Sequence, residues 1–289
     1  MSRLVTLFVG FLLTGAALAK DQPAGASAPV RIVATVEGQK GAAPPELTPD
    51  DVMVFQNDQR LRVTGWQPIN RVGLQIWLLI DDGTDTSLGL QLGDLRSFVL
   101  EQSAATRVGI GYLRNGSVQV LQDLTTDHKR AADAFRLLVG TPGISASPYL
   151  ALIDLIHKWP ATEQAREVLM VTSGIDPIYG PGPDNPYLLR AIDAAQRAGV
   201  IVHSIYFGSA GHFGHSLWQI NWGQNYLAQL AEETGGEFFW LGNSNPVSFA
   251  PYLKDLNQRL RSQYQLTFLA KSQGKPAFQS IKFKTEVVA

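Results

Sequence analysis

An apolar run, Leu74-Gln-Ile-Trp-Leu-Leu-Ile80, ends in Asp81-Asp-Gly-Thr-Asp-Thr-Ser87. Carboxylates interleaved with hydroxyls are the donors that hard divalent cations take. Mg²⁺ binds oxygen, keeps several waters and uses one or two carboxylates. Without a cation, neighbouring carboxylates repel by roughly 1 kcal/mol at about 4 Å in water, and by several-fold more when partly buried. The run 74–80 reads as a strand buried on both faces, as in a parallel sheet. Ligands of open α/β sheets bind beyond the carboxyl ends of strands. Residues 81–87 are therefore the first place to look for function.

Other chemistries find less support. Asp82-Gly83-Thr84 after a strand fits part of an aspartyl-phosphate signature, that of the haloacid-dehalogenase-type phosphatases. Ile80 stands where the nucleophilic carboxylate would have to be, so no phospho-enzyme can form. His212 and His215 in a glycine-rich loop could offer nitrogens to a transition metal, but the nearest carboxylate after them is Glu232. They read as solvated loop histidines, and His203 as a packed strand histidine. Ser145 and Ser147 have no His and Asp partners that spacing can place. No glycine-rich phosphate loop joins a strand to a helix. Lys271, Lys275, Lys282 and Lys284 alternate with apolar residues and read as a solvated sheet face. The expectation is a protein that is not an enzyme.

The elements that must position the acidic cluster follow from periodicity. Strands are expected at 30–36, 52–55 and 61–66, making a small β unit. The pattern then alternates: strand 74–80, helix 89–103, and strands 107–114 and 117–121 joined by Asn115-Gly116, a strong hairpin signal. Helices at 127–138 and 148–158, strand 167–172, helix 186–198 capped by Gly199, and strand 200–207 follow. A loop with Trp218 and Trp222 precedes helix 226–234, short strand 237–240, helix 246–261, and strands 264–269 and 281–288. Alternating strands and helices imply an α/β fold, a mostly parallel sheet with helices on both faces.

The chain has 289 residues, a net charge of −1 and no cysteine. The charge balance argues against a nucleic-acid partner. Absence of cysteine removes disulfides, thiol catalysis and thiolate metal sites together. Residues 1–19, with Arg3, an apolar stretch Leu4–Leu18 and Ala17-Leu-Ala19, read as a signal peptide. A periplasmic or secreted protein is expected, with no transmembrane segment after signal removal. Residues 20–29 read as a linker, 30–70 as the small β segment, 71–270 as the main domain and 271–289 as a C-terminal strand and tail.

Several segments, in order, resemble the von Willebrand factor type A domain, and more narrowly the bacterial proteins that carry a small β segment before it. They are Leu47-Thr-Pro-Asp-Asp-Val-Met-Val-Phe55, Leu78-Leu-Ile-Asp81, Val168-Leu-Met-Val-Thr-Ser-Gly174, Ala191 to Ile205, Leu230-Ala-Glu-Glu-Thr-Gly-Gly236 and Gln263-Tyr-Gln-Leu266. The resemblance implies a Rossmann-like sheet of about six strands and a role in binding rather than catalysis. It also implies a metal-ion-dependent adhesion site: Asp-x-Ser-x-Ser after the first core strand, a loop Thr, and an Asp after the fourth strand.

Here that site is degenerate. With Asp81 as its first residue, Gly83 and Asp85 replace the serines, Ser147 stands for the threonine and Ser173 for the last aspartate. A second register, Asp82-Gly-Thr84-Asp-Thr86, keeps the hydroxyl spacing. The first is preferred because Asp81 directly follows the apolar run. Metal ligands would then be Asp81, Asp85 and Ser147, holding Mg²⁺ or another divalent cation. Asp82, Gly83, Thr84, Thr86, Ser145, Ser173, Trp218 and Trp222 would form a binding edge for a protein partner. The other expectation is a metal-free scaffold or assembly component of the cell envelope.

Overall fold

A computed structural model of the chain describes residues 27–38, 44–211, 215–271, 281–285 and 287. The expected signal peptide, most of the expected linker and His212 lie outside the described residues.

The centre is a six-stranded sheet. Its strands are β5 (Leu74–Asp81), β6 (Arg107–Arg114), β7 (Ser117–Thr125), β8 (Ala165–Thr172), β9 (Val200–Tyr206) and β10 (Phe238–Phe239). The order is β10-β9-β8-β5-β6-β7, all parallel except β7, which returns antiparallel to β6 through the expected hairpin. Every residue of β5, β8 and β9 is buried, as central parallel strands covered on both faces must be. One core packs Ile76, Leu78 and Ile80 of β5 against α2 (Leu92–Leu100), α3 (His128–Asp133) and α7 (Ala250–Arg261). The other packs Trp77 and Leu79 against α4 (Pro148–Lys158), α5 (Pro186–Ala198) and α6 (Leu217–Thr234). Alternate residues of one strand thus feed opposite layers. This is the Rossmann-like α/β fold that the sequence pattern implies.

Two small antiparallel sheets complete the structure. One is β1 (Ser27–Thr35), β11 (Gln263–Lys271) and β4 (Val63–Pro68), with β11 in the middle; the other is β12 (Ile281–Thr285), β2 (Val52–Gln56) and β3 (Gln59–Leu61). They share a core that includes Ile32, Val54, Trp66, Leu266 and Phe268. The small β unit is therefore built from both ends of the chain. The boundary drawn at 270 falls inside β11, and residues 27–29 of the expected linker are already strand.

The largest local difference from expectation is α6. The loop that carries Trp218 and Trp222 is helix from Leu217 on, capped by Ser216 and Gln219 in a reciprocal capping box. Gly223 in its middle obscures the helical pattern and has a packing reason. A Cβ there would lie 2.2 Å from the Ser173 carbonyl oxygen, and one on Gly174 would lie 2.4 Å from the Gly223 carbonyl oxygen. The two glycines let α6 press against the turn that follows β8. Helix α7 likewise begins at Ala250, four residues later than the periodicity indicates.

Candidate functional site: the carboxyl edge of the sheet

Asp81 is the last residue of β5, so the strand end lies where the first register puts it. Its side chain is buried. One carboxylate oxygen accepts from the Gly83 N–H at 2.7 Å and the other from the Thr172 hydroxyl at 2.7 Å. Burial pushes this carboxyl above the usual carboxylate range. The donors Thr172, Gly83 and Ser145 pull it back, and the neighbouring Asp82 adds to the rise. All the donors to Asp81 are neutral.

Asp82 is fully buried and turns the other way. Arg136 grips it with both terminal nitrogens, at 2.8 and 2.5 Å. Val139 N–H adds a longer bond to the same carboxylate, and Gly140 N–H donates to the Asp82 carbonyl. The guanidinium lies over the Tyr112 ring, 3.9 Å from its centre. The Tyr112 hydroxyl accepts from the Arg136 N–H and donates to the Arg136 carbonyl. The second register's leading carboxylate is thus already paired with a cation, and its Thr84 hydroxyl donates to the Asp81 carbonyl.

Asp85 caps the short turn that starts at Thr86, accepting from Ser87 N–H at 2.8 Å. The Ser87 hydroxyl and N–H together hold its carboxyl below the usual range. Thr86 is exposed. Ser147 caps α4 and donates to Asp176 Oδ2 at 2.7 Å. Ser173 accepts from the Ser209 hydroxyl at 2.8 Å, and both are buried. His215 bonds the Ser209 carbonyl, and His203 is packed in β9 as expected.

The expected metal ligands are each committed elsewhere. Asp81 is satisfied by Thr172 and Gly83, Asp85 by Ser87, and Ser147 by Asp176. Among the described residues, no three His, Asp or Glu side chains come together as a metal-binding group. The loop 141–143 also passes close to Gly83. A Cβ at position 83 would meet Asp81 Oδ1 at 3.1 Å, the Thr141 carbonyl at 3.5 Å and Gly143 N at 3.6 Å. In this arrangement Asp81, Asp85 and Ser147 are each bonded within the protein, which speaks against a resident divalent ion at them.

The expected edge residues divide similarly. Trp218 is exposed on the first turn of α6, whereas Trp222 is half-buried against Tyr226 and the core. Asp82, Thr84, Ser145 and Ser173 are buried and hold loops in place. Sequence reasoning missed Arg136, Thr172 and Asp176. Asp176 follows β8 by four residues and was detectable as the only carboxylate in that loop before the Gly180-Pro-Gly-Pro turn. Nothing local marks Arg136, because only the fold brings it to Asp82.

No family model matches the sequence, and no curated protein matches it. Among solved structures, the chain is similar to an aerotolerance-related membrane protein from Bacteroides fragilis, at 13% identity and a TM-score of 0.47, covering 65% of this chain and 98% of that one. It is similar to the ArnB paralog VWA2 from Sulfolobus acidocaldarius, at 10% identity and a TM-score of 0.42, covering 93% and 66%. It is also similar to the manganese-loaded TRAP protein of Plasmodium vivax, at 10% identity and a TM-score of 0.47, covering 83% and 100%. The fold is von Willebrand factor A-like. Its own topology carries that assignment: a six-stranded sheet with one antiparallel edge, helices on both faces, and an aspartate closing the first core strand. No helix among the described residues is long and apolar enough to cross a membrane.

Proposed function

We propose that this chain is a non-catalytic protein-interaction module of an exported protein, and that it binds its partner at the carboxyl edge of the sheet. The observation that carries this reading is where large apolar side chains remain exposed. Of thirteen such residues among those described, ten lie on the segments that form this edge. Leu90, Leu137 and Val139 sit on the side nearest Asp82. Ile178 and Tyr179 follow β8, and Leu217 and Trp218 open α6. Trp240, Leu241 and Val247 follow β10. The other three, Leu100, Val120 and Leu189, are scattered over helices and the edge strand β7.

These segments support one another. Asp85 N–H donates to the Gly208 carbonyl, Ala210 N–H to the Gly83 carbonyl, and Gly208 N–H to the Asn245 side chain. Concentrated apolar exposure of this kind is a mark of interaction surfaces, and Trp and Tyr are frequent binding hot spots. The titratable groups beneath it are buried and internally bonded, which favours adhesion over chemistry. A scaffold using its helix faces would place its exposed apolar residues there instead.

The test is capture from the producing cells' envelope fraction with the mature protein, a Leu137→Asp/Trp218→Ala variant, and a Leu100→Asp control. A partner retained by the wild type and the control but lost by the edge variant is expected. Equal retention by all three would overturn the assignment of the edge.

A further inference from the structure

Two adjacent carboxylates, Asp81 and Asp82, are buried at the end of β5. Burying such a pair is costly unless a counter-charge is at hand. The adhesion-type site that the sequence resembles would supply a divalent ion. Here the charge present is a guanidinium. Arg136 binds both oxygens of Asp82, and its orientation is fixed independently by the Tyr112 ring and by its own bond to the Leu137 carbonyl. Such a planar, bidentate pair is the arrangement in which Arg surpasses a point charge.

The same residue also organises the space. The chain leaving Arg136 wraps Asp82 through Val139 and Gly140 and then runs beside Gly83. Thr141 and Gly143 there come within van der Waals contact of a Cβ at position 83. The counter-charge that a metal would supply and the chain that lines Asp82 and Gly83 therefore come from one stretch, 136–143. We propose that the Arg136 guanidinium is the resident counter-charge of this acidic edge, in place of a divalent ion: it neutralises Asp82, while Asp81 is held by neutral donors. The edge then keeps its shape without metal. This holds whether or not a partner binds there.

Thermal unfolding and calorimetric titration with Mg²⁺ and Mn²⁺ test it on the full mature chain. For the wild type, the melting temperature should be the same in EDTA and in millimolar Mg²⁺ or Mn²⁺, with no heat of binding. Arg136→Met should lower the melting temperature by roughly 10 °C, since it strands a buried carboxylate. Mn²⁺ should then restore part of the loss, whereas KCl of equal ionic strength should not. Should Arg136→Met fail to fold, Arg136→Met/Asp82→Leu removes both charges and should fold and melt near the wild type. Saturable Mg²⁺ or Mn²⁺ binding by the wild type that disappears in Asp81→Asn would overturn the proposal. So would an Arg136→Met protein that melts with the wild type, or a double variant no more stable than the single one.

Discussion

The Ser147 hydroxyl donates to Asp176 Oδ2 at 2.7 Å, joining the start of α4 to the loop after β8 beneath the carboxyl edge. Asp176 is fully buried, and its other oxygen accepts from Ile178 and Tyr179 N–H. Asn185, the cap of α5, approaches the first oxygen at 3.5 Å. One carboxylate thus gathers two helix starts and a turn. Removing it leaves several buried donors without partners, at about 1–3 kcal/mol for each unsatisfied group. Asp176→Ala should destabilise the protein by about 3 kcal/mol or more in urea unfolding. Asp176→Asn should lose much less. A change below about 0.5 kcal/mol for the alanine variant would show that the loop does not depend on this residue.

Asp81 gives a prediction with a definite sign in pH. Burial raises its carboxyl in the folded state, so the native protein favours the protonated form more than the unfolded chain does. Its favourable contribution is fully present below the unfolded value and is lost as pH rises through the raised native value. Asparagine is neutral throughout. It can accept from Gly83 N–H through its oxygen and donate to Thr172 through its nitrogen. Asp81→Asn should therefore be at least as stable as the wild type at neutral pH, and its advantage should shrink as pH falls. Paired urea titrations from pH 4 to pH 8 would show it. A constant deficit of Asp81→Asn at every pH would contradict the raised carboxyl.

How far these residues could be read in advance depends on the range of the interaction. The strand expected at 74–80, the Asn115-Gly116 hairpin and the Gly199 cap depend on neighbours in sequence, and the structure has all three, the strand running one residue further to Asp81. β5 also ends at Asp81, directly after the apolar run, as the first register expects. Arg136 lies 54 residues from Asp82, and no local pattern links them. The start of α6 was hidden by Gly223, whose reason is a contact with a turn 50 residues earlier. Ser173 stands where the resemblance puts the last aspartate; the carboxylate of Asp176, three residues later, accepts from Ser147.

The middle strand of the small β unit is another long-range feature with a measurable consequence. β11 pairs with β1 along nine residues and with β4 on its other side. Leu266 and Phe268 complete the core shared with Trp66 and Val54. A chain ending at residue 262 would leave β1 and β4 with unpaired edges and an exposed apolar face, an aggregation-prone combination. It should be recovered mainly as aggregate, whereas a chain ending at 271 keeps this sheet and should remain monodisperse in size-exclusion chromatography. Soluble, cooperatively unfolding protein from the shorter chain would show that the main domain is independent of β11.

Inside the sheet, His203 and Glu167 form a buried pair, Nε2 to Oε2 at 2.7 Å. His203 Nδ1 accepts from the Glu237 N–H at 3.0 Å, so Nε2 carries the proton and donates to the carboxylate. The second oxygen of Glu167 is buried with no partner. The glutamate therefore depends on this one histidine. His203→Leu should cost roughly 3–5 kcal/mol, because it leaves a buried carboxylate with neither oxygen bonded. Glu167→Leu/His203→Leu removes the stranded carboxylate as well and should recover much of that loss, since neither buried polar partner is then left without the other. The recovery should be incomplete, since the Glu237 N–H loses its acceptor in both variants. Urea unfolding of the two variants beside the wild type decides the matter. If the double variant were as unstable as the single one, the cost would come from the lost bond to Glu237 and the strand packing, and Glu167 would not be the strained member of the pair.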